Sequence, residues 1–159
     1  AAVLGTNWEM GSNKFITRYS DNAVSSVFNK TEDTKDLYTA VEGSIYLSKN
    51  FAVDYIAAYG AHKAAAGGAN SSNISLIARP MYTWNNIHST WFEVGASQVD
   101  TDGAGDVTGW KATISQNVSI NGFGNGRPVI RFYVTAGEND TDATDSDVFA
   151  LGTMFEAWW

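Results

Sequence analysis

The chain contains no cysteine. A disulfide framework and any thiolate-held metal are therefore excluded. Histidine is almost as scarce: His62 and His88 cannot build a metal cluster by themselves. Proline occurs twice in 159 residues, whereas there are 15 glycines and 13 % aromatics. That balance suits a chain living in β-ladders, because proline removes ladder donors and glycine serves tight turns. Basic residues are outnumbered, 10 against 17 acidic ones, for a net charge of −7 and a pI near 4.6. A nucleic-acid interface needs the opposite sign. No apolar run approaches the roughly 18–20 residues of a transmembrane helix. The opening ten residues lack a charged segment followed by an apolar core, so either a leader has been removed or the chain begins inside a longer protein. No Gly-x-Ser-x-Gly motif occurs and neither histidine has a triad setting, so the sequence does not read as an enzyme.

What is present is alternation at period two, the mark of strands with two unlike faces. In 148–159, Phe149, Leu151, Thr153, Phe155, Ala157 and Trp159 oppose Val148, Ala150, Gly152, Met154, Glu156 and Trp158. In 127–136, Pro128, Ile130, Phe132, Val134 and Ala136 oppose Arg127, Val129, Arg131, Tyr133 and Thr135. In 109–118, Trp110, Ala112, Ile114 and Val118 oppose Lys111, Thr113, Ser115 and Asn117. Segments 41–47, 51–59, 74–84 and 89–97 alternate likewise, and 3–10 and 14–20 do so less cleanly. The reading is all-β, with about nine strands near the ~9–11 residues that a tilted membrane strand needs.

The spacing predicts short connections at 49–50, 85–87 and 119–126, and longer loops at 21–36, 61–72, 99–106 and 137–145. Alternating short and long loops is the habit of transmembrane barrels. Much of the acid falls in the last two long loops: Asp100, Asp102, Asp106, Glu138, Asp140, Asp142, Asp145 and Asp147. These read as solvated loop tips, with weak divalent-cation binding or a bridge to lipopolysaccharide as the alternative; no other cofactor is indicated.

A soluble sandwich also alternates. It would turn Arg79, Arg131, Arg127, Lys111, Glu93, Glu42 and Asp54 outward and bury the apolar faces. Aromatics grouped at strand ends (Tyr59, Tyr82, Trp84, Trp110, Trp159) instead resemble interfacial girdles. The ending Phe155-Glu156-Ala157-Trp158-Trp159 decides for an antiparallel transmembrane β-barrel, since a soluble chain seldom ends a strand in two Trp.

Several segments closely resemble the maltoporin family. They are Asn13-Lys14-Phe15, Ile77-Ala78-Arg79-Pro80-Met81-Tyr82-Thr83-Trp84, and Ser89-Thr90 with Glu93 and Gly95. Lys111-Ala112-Thr113-Ile114-Ser115-Gln116, Arg127-Pro128-Val129-Ile130-Arg131 and the final Gly152 to Trp159 stretch complete the set in family order. The resemblance implies a sugar-selective, trimeric porin of the outer membrane of a Gram-negative bacterium, in contact with lipid and lipopolysaccharide, with an 18-stranded barrel. Residues 1–159 would be a single barrel domain or the C-terminal portion of one. An alternative is a small closed structural or adhesive barrel without transport, because about eight strands leave no open channel.

A lumen that passes maltodextrins needs aromatic platforms for sugar faces and charged partners for hydroxyls, each weak enough to release. The resemblance puts Trp158 on the family's aromatic slide, and parity puts it beside Glu156. Phe15 matches a second slide position. If Phe15 faces the lumen, Arg18 on the other parity faces lipid, which near mid-membrane costs about 2–4 kcal/mol. A third slide position maps to Asn125, a departure from the family, for which Phe123 or Trp91 could substitute. The polar lumen residues are Arg127, Arg131, Arg79, Lys111, Glu93, Glu156, Glu42 and Tyr133, which also suit salt bridges within the wall.

Overall fold

The computed structural model describes residues 1–22, 33–119, 128–141 and 144–157. Among them are nine strands: β1 (Ala2–Trp8), β2 (Gly11–Asp21), β3 (Lys35–Tyr46), β4 (Phe51–Lys63), β5 (Ser71–Thr83), β6 (His88–Thr101), β7 (Gly105–Ser119), β8 (Val129–Thr141) and β9 (Thr144–Glu156). They form one sheet in chain order, every neighbour antiparallel. Consecutive antiparallel strands need only short connections, so a meander is the simplest arrangement for this sequence.

Residues paired across strands share a face, and this gives the sheet two distinct sides. One row of Cα partners runs Phe15, Val41, Ala57, Leu76, Ala96, Trp110. A row on the opposite side runs Glu93, Thr113, Thr135, Ala150. The apolar side holds Phe149, Leu151 and Phe155, which are 77 %, 78 % and 64 % exposed. Among the described residues only Ile16, Ala40, Ala58 and Val129 are buried apolar side chains. A single sheet with its large apolar residues outward has no interior to bury them in, so lipid must cover that side.

Several connections differ from the sequence reading. The stretch 99–106 is strand, apart from a tight turn at 102–104. There Ala104 N–H donates to the Thr101 carbonyl (3.0 Å), and Gly103 adopts φ 77°, which only glycine takes without strain. The stretch 137–145 is likewise strand on both sides of residues 142–143. The connection read as short, 119–126, falls almost wholly on residues 120–127, outside the described residues. The acidic residues explain the error. Asp100, Asp106, Glu138, Asp140, Asp145 and Asp147 are polar enough to suggest loops, yet they pair along the ladder. At 15 residues, β7 spans about 50 Å along its axis. Even tilted, that outruns an apolar band of about 25 Å, so the strand ends stand in water where carboxylates cost little.

β1 pairs only with β2, and β9 only with β8. The two edges do not meet, so the described residues do not close into the small barrel entertained from sequence.

Candidate functional site

The charged side of the sheet is the candidate site. β5 to β9 bring five of its charges and one indole into a single ribbon. Arg79 Nε donates to Glu93 Oε2 (2.8 Å), and its Nη2 makes a second, closer contact to the same oxygen. Lys111 Nζ approaches the other Glu93 oxygen at 3.8 Å. Farther along, Arg131 Nη2 lies 3.7 Å from Glu156 Oε2, and Arg131 Nε donates to Asn117 Oδ1 (2.9 Å). Trp91 joins the two groups. Arg79 lies 5.6 Å and Arg131 4.5 Å from its ring centroid. The register brings the two guanidiniums from opposite sides. Trp91 pairs with Met81 and Ser115, Arg79 stands level with Glu93, and Arg131 pairs with Asn117, which pairs with Ser89. Guanidiniums over an indole gain cation–π energy, and each keeps a carboxylate partner that offsets its desolvation.

A second group lies on β2 to β4. Lys14 donates to Glu42 (2.8 Å) and Ser44 to Asp54 (2.6 Å). Arg79 pairs in register with Asp54, so the groups adjoin across β4–β5. Together these residues line a groove of about 620 Å³ with Ser12, Ile56 and Ile77. Arg18 lies 5.8 Å from the Tyr38 ring centroid on the same side.

At the far end Asp36 Oδ1 lies 2.7 Å from His62 Nδ1, and the Ser20 hydroxyl donates to Asp36 Oδ2 (3.3 Å). The carboxylate sits between the other two groups, so the imidazole does not reach the hydroxyl as a general base must.

The predicted residues distribute as follows. Arg131, Arg79, Lys111, Glu93, Glu156, Glu42, Tyr133 and Trp91 all fall on the charged side. Phe15 does not. It pairs with Leu4 and Val41 on the apolar side, while Lys14 and Arg18 take the charged one. The correction has the physical cause anticipated for it: facing Phe15 inward would place two cations in lipid. Trp158, Phe123 and Arg127 lie outside the described residues. Sequence reasoning missed Lys14 and Asn117 as contributors. Parity with Arg18 marks Lys14, but the link between buried Asn117 (0 % exposed) and Arg131 depends on the register of β7 against β8.

The apolar side has its own polar detail. The Tyr55 hydroxyl donates to Asn13 Oδ1 across Gly43 on the strand between them. A Cβ at Gly43 would meet Asn13 Oδ1 at 2.6 Å and the Tyr55 hydroxyl at 2.7 Å. Tyr82 and Trp84 make an edge-on pair with centroids 4.5 Å apart, as a girdle at the strand end.

A nine-stranded antiparallel sheet with open edges, apolar on one side and lined with paired charges and aromatics on the other, is part of the wall of a porin-type β-barrel. The chain belongs to the LamB porin family, whose sequence profile matches residues 2–159. It is 33 % identical over 172 residues to a protein named maltoporin from Hahella chejuensis, covering 99 % of this chain and 43 % of that one. It is 29 % identical over 165 residues to a maltoporin of Vibrio cholerae serotype O1, covering 98 % of this chain and 33 % of the relative. The chain therefore spans less than half the length of these relatives.

Proposed function

We propose that the protein forms part of the wall of a sugar-preferring porin that conducts maltodextrins and small solutes by facilitated diffusion, as a homotrimer surrounded by lipid and lipopolysaccharide. The observation that carries the reading is the ribbon Lys111–Glu93–Arg79–Trp91–Arg131–Glu156 on the lipid-averse side. This side is built of donors and acceptors that are partly exposed and ion-paired with one another. Such groups exchange hydrogen bonds with passing hydroxyls without holding any one of them. Membership of the LamB family and the maltoporin relatives support the same class of solute.

Trp158 stays in this proposal on the strength of its family position: stacking there would add an apolar platform at the end of the chain. The test is single-channel conductance in a planar bilayer with added maltodextrin. A conducting pore whose current is interrupted by the sugar is the expected result, with weaker interruption in Trp158→Ala. A silent protein overturns the porin reading. A pore indifferent to oligosaccharides overturns the sugar preference.

A further inference from the structure

Among the described residues, Tyr133 is the aromatic of the charged side that lies over a glycine. It pairs with Ser115 on β7 and with Gly152 on β9. A Cβ built at Gly152 would fall 2.6 Å from Tyr133 Cζ and 3.0 Å from its Cε1. The end of the phenol ring thus fills the space a side chain at 152 would need. The ring leans across β9 against the backbone instead of projecting from the wall. It is half-buried, and its hydroxyl has no partner among the described residues.

The contrast with Trp91 is informative. Both stand in one cross-strand row, Trp91, Ser115, Tyr133, Gly152. The Trp91 ring already carries two guanidiniums, at 4.5 and 5.6 Å. A sugar that stacked on it would have to displace them. Tyr133 has polar groups beside it instead: the Arg131–Glu156 pair (3.7 Å) along one flank and the Thr113–Thr135 hydroxyl pair (2.7 Å) along the other. A pyranose has an apolar C–H face and a rim of hydroxyls. An aromatic surface bordered by a guanidinium, a carboxylate and hydroxyls matches both parts.

We propose that Tyr133, seated on Gly152, is a pyranose-stacking platform of the pore wall. Gly152 acts as its positioning residue, since any side chain there would lift the ring off the backbone. Trp91 serves to fix Arg79 and Arg131. The inference rests on the sugar-conducting reading above and adds to it a specific residue and a seat.

The experiment titrates maltohexaose against the purified porin in a planar bilayer and reads its dissociation constant from current block. Tyr133→Ala, Tyr133→Phe and Gly152→Ala are compared with wild type, and Tyr59→Phe on the apolar side is the control. Loss of one stacking surface weakens sugar binding about tenfold in Tyr133→Ala. Gly152→Ala weakens it in the same direction although the ring is retained, a result that a purely chemical role of the phenol would not produce. Tyr133→Phe, which keeps the ring and loses the hydroxyl, changes it less, by about two- to threefold. Sugar block in wild type with Tyr133→Ala and Gly152→Ala both within about twofold of it overturns the platform and leaves the sugar reading standing. Absence of block in wild type removes both. Should Tyr133→Ala not insert, the ordering of Gly152→Ala and Tyr133→Phe against wild type decides.

Discussion

Glu93 is the single anion that Arg79 and Lys111 share, and replacing it tests whether this side of the sheet faces a conducting lumen. In Glu93→Gln the two cations remain while their counter-charge is gone. Their side chains are 36 % and 58 % exposed, so the uncovered charge is felt in solvent. For an ion passing about 7 Å away in water, one unit charge shifts its energy by about 0.6 kcal/mol. Screening at 0.1 M salt, with a Debye length of about 10 Å, reduces this to about 0.3 kcal/mol. Anions gain that amount and cations lose it, so the anion-to-cation permeability ratio rises about threefold. The assay is the reversal potential across a salt gradient in a planar bilayer. Raising the salt to 1 M, where the Debye length is about 3 Å, should nearly abolish the difference. An unchanged reversal potential, or a shift toward cations, would refute the placement of this cluster on the conducting side.

Three further predictions concern the sheet itself. Ile114→Lys places a cation on the apolar side and should destabilise the folded protein in lipid by about 2–4 kcal/mol, whereas Thr113→Lys should cost under about 1 kcal/mol; urea titration in vesicles compares them, and equal costs would mean the faces are misassigned. Gly43→Ala should cost about 1–3 kcal/mol, because its methyl group displaces the Tyr55–Asn13 bond against close backbone; the same titration reads it, and a neutral result would show that the bond is dispensable. Because the chain has no cysteine, single cysteines introduced at 110 to 115 can be probed with a charged thiol reagent in intact vesicles. Positions 111 and 113 should react, 115 only slowly because it is buried, and 110, 112 and 114 should not, and a flat profile would exclude a one-layer wall between water and lipid.

The class of the fold was legible because it is written at period two. Ile130, Phe132 and Val134 alternate with Arg131, Tyr133 and Thr135 within one strand, and no distant residue is needed to see it. The same local parity held enough information to settle Phe15. With Lys14 and Arg18 both on the other phase, only one side choice avoids burying cations in lipid, and the structure takes that choice. Motif matching pointed the other way, since it compares residue identities without asking which neighbours share their face.

Strand ends were not legible. Outside the lipid the pattern loses its apolar member, so Asp100, Asp106, Asp140 and Asp145 carry no period that distinguishes ladder from loop. Their hydrogen bonding is decided by the strands alongside.

By itself, the sequence determined that this protein is a sheet with one apolar and one charged side, because side-chain alternation is a property of a single strand. Only the tertiary structure decided which charges meet and how the rings lie. Glu93 reaches Arg79 from the next strand, and Arg131 reaches Trp91 across an intervening one. Tyr133 leans over a glycine 19 positions further along the chain. Such contacts are set by the register between strands, and register is fixed by backbone pairing over the whole sheet.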